Sequence, residues 1–162
     1  MTLVVPYDGI ELSKTALIRA AQFNAVFDQN VIAVTVVPRN NSSYARTKGW
    51  IKPTEPFDRQ AIVDSLRESV AEITPEVTFE PLSVGRNAPA GTIANKIRQF
   101  AREKEASIVF IGSENAGRMV GSLSVGSSVS AEQSYDTMII SQARPTKIKE
   151  LEAELSTEDA IN

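Results

Sequence analysis

Four short apolar runs, at residues 3–5, 31–37, 107–111 and 137–141, and a fifth that alternates, at 77–84, are each separated by enough chain to hold a helix. Runs of this length, rich in Val and Ile, read as strands buried on both faces. Strands that alternate with helices need crossovers, which are right-handed and leave neighbouring strands parallel. The pattern predicts an α/β fold with a single-domain, open, parallel five-stranded sheet and helices on both faces, Rossmann-like in kind. In the alternating run Phe79 stands between Thr78 and Glu80, as expected of a sheet edge.

The intervening stretches carry helical spacing. Leu12, Ala16, Ala20, Phe23 and Phe27 form one stripe over 11–27, and Asp8 with Glu11 has capping-box spacing at its start. Ile62, Leu66, Val70 and Ile73 form a second stripe. Ile93, Ile97 and Phe100 form a third, with Pro89 in its first turn. A short fourth helix is expected over 127–133, capped by Ser127 or Ser128. Residues 39–56 have no period; they hold Arg39, Tyr44, Arg46, Lys48, Trp50 and Lys52 with no acid before Glu55. Such a segment is either a solvated surface loop or a lid over a polyphosphate, and with no spacing to mark a site the surface loop is the expectation.

At 162 residues the chain suits one core, placed at 1–143, with a charged tail at 144–162 in which Ile148, Leu151 and Leu155 would share a helical face. Seventeen basic residues against twenty acidic ones offer no field for nucleic acid and no membrane anchor. The protein is expected to be soluble and cytoplasmic. Without Cys or His there is no disulfide, thiolate nucleophile or imidazole base, and only hard-cation chemistry through carboxylates, hydroxyls and phosphates remains open.

The stretch with the most chemistry runs from 112 to 128, where Gly112, Gly117, Gly121 and Gly126, four of the eight glycines, are interleaved with serines directly after a strand. Glycine richness alone would equally describe a linker. A strand, a glycine loop and a helix start, however, is an arrangement that presents backbone N–H groups to phosphate. With strand order 3-2-1-4-5 the ligand crevice falls between strands 1 and 4, walled by residues 6–9 and this loop, so that Asp8 faces a sugar or a hard cation. There is no G-x-x-x-x-G-K-[ST], and no G-x-G-x-x-G follows the first strand, which removes Walker-type and dinucleotide enzymes.

Val4-Val5-Pro6-Tyr7-Asp8-Gly9, the V-T-V-V-P end of the second strand, and I-G-S followed by a glycine loop and G-S-S-V-S together resemble the universal stress protein family over residues 2–142. The resemblance implies the order 3-2-1-4-5 and adenine-nucleotide binding, with ATP the first expectation, in a regulatory or stress-response role. It assigns ligand contacts to Asp8, Val36, Gly112, Gly126 and Ser127, beside which Pro6 and Ser128 are expected to line the site, and it leaves Mg possible. Its G-x2-G-x9-G-[ST] pattern is altered here: Asn115 holds the second glycine position, ten residues separate it from Gly126, and Ile10 stands where the family often has Ser. Asn115 would then take a left-handed turn, with Gly117 two residues on as a shifted substitute. A homodimer through strand 5 is also implied, with Met138 and Ile140 on an open edge. The other readings are a nucleotide-free dimeric interaction module and a slow Mg-dependent ATPase.

Overall fold

The computed structural model describes residues 1–115 and 134–142. In chain order the elements are β1 (Thr2–Pro6), α1 (Glu11–Phe27), β2 (Asn30–Pro38), α2 (Ser42–Thr47), α3 (Arg59–Ile73), β3 (Thr78–Val84), α4 (Ala90–Glu103), β4 (Ala106–Gly112) and β5 (Asp136–Ile140). The five strands form one sheet of order β3-β2-β1-β4-β5, and every pairing is parallel.

The sheet is covered on both sides because its central strands are apolar at nearly every buried position, Thr35 of β2 being a polar exception. Leu3, Val5 and Tyr7 of the first strand segment, with Val31 and Ala33, pack with α1 and α3 around Ala16, Leu17, Ile62, Leu66 and Val70. The alternate residues Val4, Ile32, Val34, Val109 and Ile111 pack with Ala94, Phe100 and Ala101 of α4. Period-two alternation in each strand therefore meets period-3.6 stripes on opposite faces. β3 is an edge strand and carries Pro81, which pairs in register with Thr35 of β2; proline is tolerated there because an edge leaves one row of N–H groups unused.

Two local expectations are corrected. On α1 the buried positions are Ser13, Thr15, Ala16, Leu17 and Ala20, while Phe27 at the end of the expected stripe is exposed, stacked on Phe23 at 4.5 Å. The hydroxyls can be buried because they are satisfied: Ser13 Oγ donates to the Ile10 carbonyl at 2.8 Å and Thr15 Oγ1 to that of Glu11 at 3.1 Å. Residues 39–56 are no featureless surface loop, since they contain α2. Asn41 caps this helix, its Oδ1 accepting from the Tyr44 N–H at 2.9 Å while its Nδ2 donates to the Arg86 carbonyl at 2.8 Å. The expected helix at 127–133, the loop residues Gly117, Gly126, Ser127 and Ser128, and the tail at 144–162 lie outside the described residues. Among the described residues no helix is long and apolar enough to cross a membrane.

Candidate functional site

The strand order reverses between β1, which is followed by a connection to β2, and β4, on its other side. Chains leave these two strands in opposite directions, so their carboxyl ends part and a crevice opens. A cleft lies there, floored by Val34, Thr35 and Val36 of β2, bounded by Pro6, Tyr7 and Asp8 after β1, and closed on one flank by Ile93, Ala94 and Ile97 of α4. Its empty space is about 530 Å³, open mouth included. Tyr44, Lys48 and Trp50 of the α2 segment also line it.

Asp8 is the centre of the polar rim. Oδ1 accepts from the Ile10 N–H at 3.0 Å. Oδ2 accepts from Lys48 Nζ at 2.9 Å and Asn115 Nδ2 at 3.1 Å. The Asp8 carbonyl accepts from Trp50 Nε1 at 2.8 Å, and its N–H donates to Ser13 Oγ at 3.3 Å. The capping-box expectation is thus corrected: Asp8 turns the chain two residues ahead of α1, whose N-cap is Ile10 with no side-chain cap. Burial pushes the Asp8 carboxyl upward, but the hydrogen bond and charge of Lys48, with Asn115 and the Ile10 N–H, outweigh it and hold the group below the ordinary carboxylate range. Burial raises the neighbouring Tyr7 phenol, with the charges of Asp8 and Glu72 adding to the effect, against a hydrogen bond to Ser69.

Lys48 and Trp50 reach Asp8 because α2 ends at a glycine. Gly49 has φ of 73°, a left-handed conformation that costs glycine little, and it turns the chain so that residues on either side of it point back to β1. Tyr44 on α2 packs against Trp50, ring centroids 5.6 Å apart, and the Lys48 ammonium lies 5.7 Å from the Tyr44 ring centroid. None of these three was assigned a contact from the sequence. The signal was the cluster of cations and aromatics without an acid in 39–56, which carries no spacing that would aim it at Asp8.

Of the residues expected in the site, Pro6, Asp8, Val36 and Asn115 line one cleft. Gly112 is placed differently, at the buried end of β4 against α1, where an added Cβ would come within 2.9 Å of Leu12 Cβ. Asn115 is not left-handed: among the described non-glycine residues positive φ occurs only at Asp28, Asn40 and Glu105, and residues 113–115 are helical. The side-chain bond to Asp8 gives Asn115 a role no glycine could fill.

A resident hard cation does not fit this rim. Among the described residues Asp8 is the one carboxylate lining the cleft, and both its oxygens accept from N–H donors, one of them an ammonium. Among the described residues there is no group of three Asp, Glu, His or Cys side chains that could hold a metal ion.

The sequence profile of the Universal stress protein family matches residues 1–140. The chain belongs to that family. Solved universal stress proteins share its fold at low identity. One, in complex with cAMP, is 21% identical with a TM-score of 0.51 and covers 87% of this chain and 97% of its own. The protein from Lactobacillus plantarum is 14% identical, TM-score 0.54, covering 87% and 97%, and that from Burkholderia pseudomallei is 21% identical, TM-score 0.50, covering 86% and 94%. No curated protein matches the sequence. At these identities the likeness concerns the universal stress fold, with its 3-2-1-4-5 sheet; the α2 segment and the bonds around Asp8 are read from this chain alone.

Proposed function

We propose that this universal stress protein binds an adenine nucleotide, ATP in the first instance, in the cleft at the carboxyl ends of β1 and β4, as a regulatory module without efficient turnover. The observation that carries the reading is the cleft: it is lined by the apolar Val34, Val36, Ile93 and Ile97, with Lys48 and Asn115 gathered on Asp8. Apolar slots with a few convergent polar groups are the usual form of a small-molecule site. The cAMP complex of a related fold is consistent with it. The loop that continues from Gly112 would take the phosphates through N–H groups and the Ser127 hydroxyl. With no histidine and no Walker lysine, water activation has little to work with, so binding outlasts chemistry.

Calorimetry with ATP tests the site. Ser127→Ala removes one hydrogen bond to a charged acceptor and is expected to weaken binding by roughly ten- to a hundredfold, and Gly126→Val by at least as much. If the unmodified protein binds ATP and both variants bind it equally, the phosphates lie elsewhere.

A second reading, a nucleotide-free dimeric module, is favoured by one observation: Asp8 is already fully engaged by the chain's own donors. The two readings part when the purified protein is denatured and the released small molecules are identified by chromatography and ultraviolet spectrum.

On either reading a homodimer through β5 is expected. Ile140 is buried in the core, but Met138 and Ile139 are 39% and 45% exposed on an edge strand, so Ile139 takes the place of Ile140 in the apolar contact expected from sequence. Sedimentation at micromolar concentration is expected to give a dimer, and Ile139→Pro a monomer, because proline deletes a ladder donor. A monomeric unmodified protein would contradict this.

A further inference from the structure

We propose that Lys48 receives the anionic part of the ligand, in the place that a metal ion would otherwise take, with Arg86 as the second cation. The inference rests on the nucleotide reading and adds to it the source of countercharge. Lys48 is positioned, not trailing: its side chain is 13% exposed, its Nζ sits 2.9 Å from Asp8 Oδ2, and α2 is fixed to the turn after β3 by Asn41 on the Arg86 carbonyl. An ammonium carries three donors, and one of them serves Asp8. Asn115 Nδ2 shares the same Asp8 oxygen, so Lys48 stands beside Asn115, from which the loop proposed above to take the phosphates continues.

Lys48 and Tyr44 also separate the cleft from an adjoining open groove lined by Ser43, Thr47, Arg86 and Asn87. Among the described residues the charges lining both depressions are Asp8, Lys48 and Arg86 alone. Asp8 and Lys48 cancel, and Arg86 leaves the junction one charge positive. Hydroxyl and amide groups on the groove wall add donors that suit phosphate oxygens. A divalent cation placed at Asp8 would have to displace Lys48 and would meet its repulsion, whereas an anion gains from it.

The test is calorimetry of adenosine and AMP in EDTA and in Mg. AMP should bind about ten- to a hundredfold more tightly than adenosine, the effect of hydrogen bonds to a charged group, and Mg should leave the ratio unchanged. Lys48→Met should erase the ratio. Arg86→Met, at an exposed side chain, should narrow it while leaving adenosine binding intact. A ratio near one, a ratio that requires Mg, or a ratio untouched by both variants overturns the proposal while the adenine site stands. If neither adenosine nor AMP binds, the nucleotide reading fails, and inorganic pyrophosphate decides the inference by itself. It should alter the emission of Trp50, the single tryptophan, in the unmodified protein, less in Arg86→Met, and not in Lys48→Met. No response to pyrophosphate in the unmodified protein overturns it.

Discussion

Asp8→Ala is expected to lower the unfolding free energy by about 3 kcal/mol, near the range for removing one partner of a buried ion pair and at its lower end because Asp8 and Lys48 keep 11% and 13% side-chain exposure. The change strands the Lys48 ammonium and the Asn115 amide and frees the Ile10 N–H at the start of α1. The Trp50 bond to the residue 8 carbonyl remains, so the loss belongs to the carboxylate. Urea denaturation measures it, and the pair Asp8→Asn with Lys48→Met isolates the ionic share: the double variant should be less destabilised than the two single changes summed. The pH dependence has a fixed sign. A carboxyl held below its unfolded value, about 3.9, contributes stability that is fully present above that value and is lost as pH falls through the folded one. Urea midpoints of the unmodified protein should therefore fall as pH drops below about 4, with this component missing in Asp8→Asn. An equal acid loss in both proteins would place the titrating group elsewhere.

Gly112→Ala should be nearly as costly, about 2–3 kcal/mol, toward the upper end of overpacking effects. The new Cβ would lie 2.9 Å from Leu12 Cβ, 3.3 Å from the Leu12 carbonyl carbon and 3.5 Å from the Ser13 nitrogen. None of these is the end of a flexible side chain, so α1 itself must move, and with it Ser13 and the Asp8 turn. Gly85→Ala is the control, since nothing lies within 4 Å of its added Cβ. Thermal unfolding of the two variants separates packing at Gly112 from any contact it makes with a ligand: a stable Gly112→Ala would remove the packing account.

The strands and the long helices were legible because their signals are local. Val31 to Val37 is apolar at each position but Thr35, and Ile62, Leu66, Val70 and Ile73 repeat within one helix, so no distant partner is needed to assign them. Part of the cleft lining was legible on similar terms: Pro6 and Asp8 follow from where the first strand ends, while Val36 came from the family resemblance. The rest depends on contacts between residues forty or more positions apart. Lys48 and Trp50 come to Asp8 only after a six-residue helix, too short to display a period, is fixed by Asn41 to the Arg86 carbonyl and turned by Gly49. Asn115 was identified from its place in a glycine pattern, but its bond to Asp8 Oδ2 gives it a different role from the one that pattern implied. On α1 the buried Ser13 sits at the close approach to β4 at Gly112, which a hydrophobic stripe does not encode.

Pro81 bears on how large an assembly this sheet can join. A strand added beside β3 would run along a ladder containing a residue without an N–H, whereas the five residues of β5 include no proline. Growth by strand addition therefore has one favoured side. Two copies related by a two-fold axis would pair β5 with β5 and use that side up in both. What would remain outermost at each end is β3 with its proline, so such a ten-stranded sheet would be self-terminating, and the residue that marks the edge would also disfavour filaments.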